Sequence, residues 1–169
     1  MQVFIMRHGD AALDAASDAV RPLTQSGRDD TRLMATWLKG QQVEIARVLV
    51  SPFLRAEQTL EVVGDVLTLP EKQDALPELT PCGDAGQVGC FIQTLAEEGT
   101  GAVLVISHLP LVGYLVSELC PEEAPPMFCT SAVDQFYSLF SALLLRHNRL
   151  KHSLHGTYFL RVKDKHFRP

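Results

Sequence analysis

Four side chains in this sequence could work together on a phosphoryl group. Arg7-His8-Gly9 follows a short apolar run. Arg55 lies within Ser51-Pro52-Phe53-Leu54-Arg55-Ala56-Glu57-Gln58-Thr59, and Ser107-His108 closes a later apolar run. A neutral imidazole is a competent nucleophile toward phosphorus when its second nitrogen is held by an acceptor that fixes the tautomer. Arg7 and Arg55 can each present forked N–H groups to non-bridging oxygens, which a lysine cannot do bidentately. On this reading His8 takes the phosphoryl group, the two arginines hold it, and His108 adds a donor where charge builds up. Phosphoryl transfer asks mainly for positioning and charge stabilisation, so such a cluster suffices for most of the work.

Each residue alone has a plainer explanation. An arginine leaving a strand is usually a surface cation, and a single histidine after a strand is more often a hydrogen-bonded loop residue. The case rests on three strand ends carrying such residues at once, because open α/β sheets bind ligands beyond the carboxyl ends of their strands. A metal site built from His8, His108 and Asp10 competes with this reading. Two adjacent arginines would repel a divalent cation, however, and no H-x-H or H-E-x-x-H spacing occurs. No metal and no cofactor is therefore expected. Gly9 stands alone, without the glycine-rich pattern of a nucleotide-binding loop. Cys82, Cys90, Cys120 and Cys129 form no C-x-x-C pair and read as free thiols. A cysteine-based phosphatase loop would need an arginine six residues after a cysteine. Those positions hold Val88, Ala96, Pro126 and Gln135.

The elements that must position these residues alternate between strands and helices. Val3–Met6, Arg47–Val50, Asp74–Leu76 and Ala102–Ile106 read as strands, the main ones nearly continuous in apolar residues as parallel strands covered on both faces are. Thr24 is placed to cap a helix with Leu33, Met34, Trp37 and Leu38 on its apolar side, ended by Gly40. Pro52 opens a second, carrying Ala56, Leu60, Val63 and Leu67 and stopping before Pro70. Asp84 caps a third bearing Val88, Phe91, Ile92 and Leu95. Pro110 stands near the start of a fourth with Leu111, Leu115 and Leu119. This alternation predicts βαβ units in a three-layer α/β/α fold with a mainly parallel sheet and an antiparallel edge.

The 169 residues fit one domain, and a 46% hydrophobic content supports a real core. A net charge of −5 argues against a nucleic-acid binder. No apolar run reaches transmembrane length and no signal peptide is evident, so membrane insertion is not expected and the location reads as cytoplasmic. The charge is uneven. From Thr130 to Pro169 there are seven Lys and Arg against two Asp, and four of the six histidines. This tail contains the apolar stretch Phe136–Leu145 and a hairpin pattern, Arg149–Leu154 and Thr157–Lys163 turning at His155-Gly156. It reads as a basic solvated face with an edge hairpin, or as a partner-binding patch.

R-H-G after an N-terminal strand, S-P-x-x-R-A-x-x-T and a late S-H, in that order, together resemble the histidine phosphatase superfamily. The resemblance is closest to its short bacterial phosphohistidine phosphatases. It extends from Met1 to about Ala132 and includes Val20-Arg21-Pro22-Leu23-Thr24 and Leu76-Pro77-Glu78-Leu79-Thr80-Pro81. It implies a phosphoglycerate mutase-like fold, His8 as nucleophile, and Arg7, Arg55 and His108 as the phosphate pocket, with Arg21 as a further contact. Larger relatives protonate an alkoxide leaving group with a carboxylate, and Glu78 falls near that position; Asp18 is a second carboxylate close by. A phosphohistidine substrate would release a far less basic imidazole and could dispense with the acid.

The resemblance further implies protein partners, either the phosphotransfer (HPt) domain of a sensor kinase or a phosphocarrier protein of the phosphotransferase system. Only about a dozen and a half residues separate the first strand from Thr24. No insertion is long enough to roof the site against a protein surface. The alternatives are a phosphatase or mutase acting on small phosphate esters, and a binding module that has lost catalysis. After about residue 132 the sequence departs from the family. This divides the chain into a histidine phosphatase domain, 1–132, and a divergent basic segment, 133–169, that is either an edge of the same domain or a replaced C-terminus.

Overall fold

The apolar strand patterns pair into one sheet, and residues 1–140 and 157–161 are described in a computed structural model. The strands are β1 (Gln2–Arg7), β2 (Ile45–Val50), β3 (Gln73–Ala75), β4 (Ala102–Ser107), β5 (Val133–Phe140) and β6 (Thr157–Arg161). The helices are α1 (Gln25–Gly40), α2 (Leu54–Gly64), α3 (Ala85–Glu97) and α4 (Leu111–Leu119). The strand order is β3-β2-β4-β1-β5-β6. The first four run parallel, β5 runs antiparallel to β1, and β6 runs antiparallel to β5. This is the mixed sheet with an antiparallel edge that the alternation predicts.

Successive residues along β1 enter opposite layers, which explains why the strand is apolar throughout. Val3 and Ile5 join Leu49, Val103 and Val105 against Ile92 and Leu95 of α3 and Leu111 and Leu115 of α4. Phe4 and Met6 join Val48, Val50, Leu104 and Ile106 against Met34 and Leu38 of α1 and Ala56 and Val63 of α2. Phe136 of β5 is fully buried in the first layer and Val133 in the second, so the sandwich continues past residue 132.

Several boundaries differ from expectation. α1 starts as anticipated, with the Thr24 side chain accepting from Gly27 N–H, a cap worth about 1 kcal/mol. Its buried stripe is Gly27, Thr31, Met34, Ala35 and Leu38, whereas Leu33 is 48% exposed. One step of 100° around the helix separates Leu33 from Met34, enough to carry it to the rim. Gly40 is the last helical residue, not a stop beyond it. α2 begins at Leu54, two residues after Pro52, and ends at Gly64. Leu67 reaches the core from a turn in which its N–H donates to Val63 O at 2.9 Å. The second arm of the anticipated hairpin forms as β6, which pairs with β5. The first arm, Arg149–Leu154, and the turn lie outside the described residues.

Candidate active site

β2, β4 and β1 are neighbours, so their carboxyl ends deliver Ser51, His108 and His8 to one edge of the sheet. The His8 N–H continues the ladder by donating to Ser107 O at 2.9 Å, and the Ser51 N–H donates to Ile106 O at 3.0 Å. The His8 and His108 rings lie 4.8 Å apart between centroids, tilted by 55°. Arg55 sits in the first turn of α2. Its Nε donates to His8 Nε2 at 3.2 Å, and its own side chain is only 4% exposed.

The hydrogen bonds fix the protonation of His8. Nε2 accepts from a guanidinium and therefore carries the lone pair, while Nδ1 carries the proton and donates to Gly9 O at 2.6 Å. Burial, followed by the positive charges of Arg55, Arg7 and Arg21, lowers the His8 pKa to about 4. His8 is thus a neutral imidazole with its lone-pair nitrogen facing a cation. Burial likewise lowers His108 to about 3, with His8 and Arg55 adding to the effect. Its Nε2 lies 2.7 Å from Ser51 Oγ, and its Nδ1 is buried without a hydrogen-bond partner among the described residues.

The remaining expected residues take different places. Arg7 is held by the loop before β5: its guanidinium donates to Phe128 O at 2.8 Å, and its Nε is buried without a partner among the described residues. Burial lowers its pKa from the ordinary arginine value. Arg21 stands at the end of a short 3-10 turn, Asp18–Val20, and donates to Ala12 O at 2.6 Å and Asp18 Oδ1 at 3.1 Å. Asp18 also accepts from Arg55 at 3.0 Å, so one carboxylate spans both arginines. Partial desolvation opposes ionisation of Asp18, but the hydrogen bonds from Arg55 and Arg21 prevail and hold it below the usual carboxylate range. Glu78 is half-buried on the 3-10 turn Pro77–Leu79. It lines an open groove of about 700 Å3 with Thr80, Asp84, Tyr114 and Glu118. Among the described residues no hydrogen bond or ion pair joins Glu78 to the two histidines or the arginines. Nor is any cluster of three or more His, Cys, Asp or Glu found there that could hold a metal ion.

Other residues complete the site. The Thr59 hydroxyl accepts from Gly9 N–H at 3.1 Å and donates to Arg55 O at 2.7 Å, tying the His8 loop to the Arg55 helix. Gly9 packs on α1 so closely that an added Cβ would stand 2.6 Å from Gly27 O and 2.8 Å from Thr31 Oγ1. Ser131, at φ 59°, donates its N–H to His8 O at 3.1 Å. Ser51 and Thr59 stand inside the S-P-x-x-R-A-x-x-T stretch and were legible as part of it. The Phe128 carbonyl and the Ser131 N–H carry no signal of their own, because a backbone donor or acceptor has no sequence signature.

The chain is also similar to known proteins. Residues 3–80 match the family model for the histidine phosphatase superfamily, branch 1. The chain is 74% identical over 133 residues to the phosphohistidine phosphatase SixA of Escherichia coli strain K12, covering 79% of this chain and 83% of that protein. It is 38% identical over 142 residues to a SixA homolog of Haemophilus influenzae, covering 80% of this chain and 87% of that one. Among solved structures, the protein histidine phosphatase SixA complexed with tungstate superimposes with a TM-score of 0.80 at 72% identity. That match covers 81% of this chain and 88% of the other.

Proposed function

The chain belongs to the histidine phosphatase superfamily, and we propose that it is a phosphohistidine phosphatase working through a phospho-His8 intermediate. The observation that carries this reading is the pairing of a neutral, tautomer-fixed His8 with Arg55 at its nucleophilic nitrogen. His8 Nε2 attacks phosphorus and the substrate N–P bond breaks. Arg55, Arg7, Arg21 and the His108 N–H take the non-bridging oxygens. A phosphohistidine already protonated on its other nitrogen leaves as neutral imidazole, so the first step needs no acid. Water then attacks the phospho-imidazole, the Nε2–P bond breaks, and inorganic phosphate leaves. Glu78 is the carboxylate available to an alkoxide leaving group, a role that phosphohistidine does not require.

The partner proposed is the HPt domain of a sensor kinase or a phosphotransferase-system phosphocarrier, either of which presents its phosphohistidine on a protein surface. A cytoplasmic setting fits the exposed free thiols of Cys82, Cys90 and Cys129. No helix among the described residues is long and apolar enough to cross a membrane. The test is incubation with a 32P-labelled phosphotransfer domain. Wild type should release inorganic phosphate through transiently labelled enzyme, and His8→Ala should do neither. Hydrolysis by His8→Ala at the wild-type rate would overturn the mechanism. Faster turnover of sugar phosphates than of the labelled domain would overturn the substrate class.

A further inference from the structure

Ser51 is fully buried between the Arg55 helix and His108, and hydrogen-bond bookkeeping gives it a defined task. Its Oγ accepts the N–H of Phe53 at 3.4 Å and lies 2.7 Å from His108 Nε2. Two proton arrangements are conceivable at the second contact. If His108 Nε2–H donated to Ser51, the serine hydroxyl proton would have no acceptor among the described residues, and His108 Nδ1 would present a lone pair. If Ser51 Oγ–H donates to Nε2, the serine is satisfied on both sides and the imidazole proton must sit on Nδ1. A buried Nδ1 lone pair beside a phosphoryl dianion would repel it, whereas a buried Nδ1–H is a donor without a partner among the described residues, suited to an anionic oxygen.

We propose that Ser51 is a positioning residue that sets the tautomer of His108, holding its proton on Nδ1 as a phosphoryl-oxygen donor. The backbone makes this dependable. The Ser51 N–H is anchored to β4 through Ile106 O, and Phe53, which follows Pro52, packs its ring edge on His108 with centroids 5.3 Å apart. The serine therefore acts on substrate only through the histidine. The assignment rests on the phosphatase reading for its catalytic consequence, though not for its proton placement.

The experiment separates the two. Nitrogen-15 NMR of the histidine rings should show His108 as the Nδ1–H tautomer in wild type, and Ser51→Ala should shift it toward Nε2–H. Tungstate affinity, measured by calorimetry, should fall about tenfold in Ser51→Ala. The kcat on a labelled phosphotransfer domain should fall by about 10- to 100-fold, a range typical of lost electrostatic donors. Ser51→Thr, which keeps the hydroxyl, should restore the wild-type tautomer and most of the tungstate affinity. An Nε2–H tautomer in wild type overturns the proposal whatever happens to the variants. So does an unchanged tautomer and tungstate affinity in a folded Ser51→Ala. If wild type binds tungstate with the expected tautomer but fails on phosphohistidine, the substrate reading falls and the tautomer assignment stands.

Discussion

His8 and His108 are two uncharged imidazoles set among guanidinium groups, and that state has a measurable cost. Both folded pKa values, about 4 and about 3, lie below the ordinary 6.5. Between pH 6.5 and those values the unfolded chain binds more protons than the folded one. Stability from these residues is therefore complete above about pH 6.5 and declines as the pH falls toward 4 and then 3. Histidine ring NMR should show both side chains neutral at pH 5.5, where an ordinary histidine is mostly protonated. Thermal melts from pH 7 to pH 4 should show a falling Tm whose slope lessens in His108→Gln. Ring titration near pH 6.5 would contradict the burial and charge argument made for both residues.

At the scale of elements, the site is a contact between loops and helices, and its glycines report how tight that contact is. A Cβ on Gly27 would lie 2.2 Å from Asp10 O and 2.6 Å from Asp10 N, so Gly27→Ala must push back the segment that follows His8. It should cost about 1–3 kcal/mol by chemical denaturation and lower turnover as well. Gly40→Ala is the control: nothing stands within 4 Å of its Cβ, and helix propensity should make it neutral or stabilising by up to about 1 kcal/mol. The same scale shows what could be read from the sequence. Apolar runs ending in His8 and His108 were legible because a doubly covered strand has no polar face to blur its pattern. The caps at Thr24 and Asp84 were legible because a side-chain oxygen before a helix has a fixed use. Leu33 misled because an apolar residue at the rim of a stripe has the same composition as one inside it. The clasp of Thr59 on Gly9 and Arg55, and the carbonyl of Phe128 on Arg7, depend on long-range approach, and no local pattern encodes that.

For the molecule as a whole, β5 decides how firmly the strand that carries His8 is held. β1 is hydrogen-bonded on one side to β4 and on the other to β5, and Phe136 of β5 is fully buried against the α3/α4 layer. Phe136→Ala should cost about 3–5 kcal/mol, read as a lower Tm, while turnover per folded molecule stays near wild type. A loss below about 1 kcal/mol would mean that the strand is dispensable to the core. The pairing of β1 also has a consequence for the nascent chain. His8 leaves the ribosome before the partners of its strand, residues 102–107 and 133–140, have been made. At ordinary translation rates that interval is on the order of ten seconds. The proposed nucleophile is thus born early and armed late, because the strand pairing that positions it forms only after synthesis has passed His108 and β5.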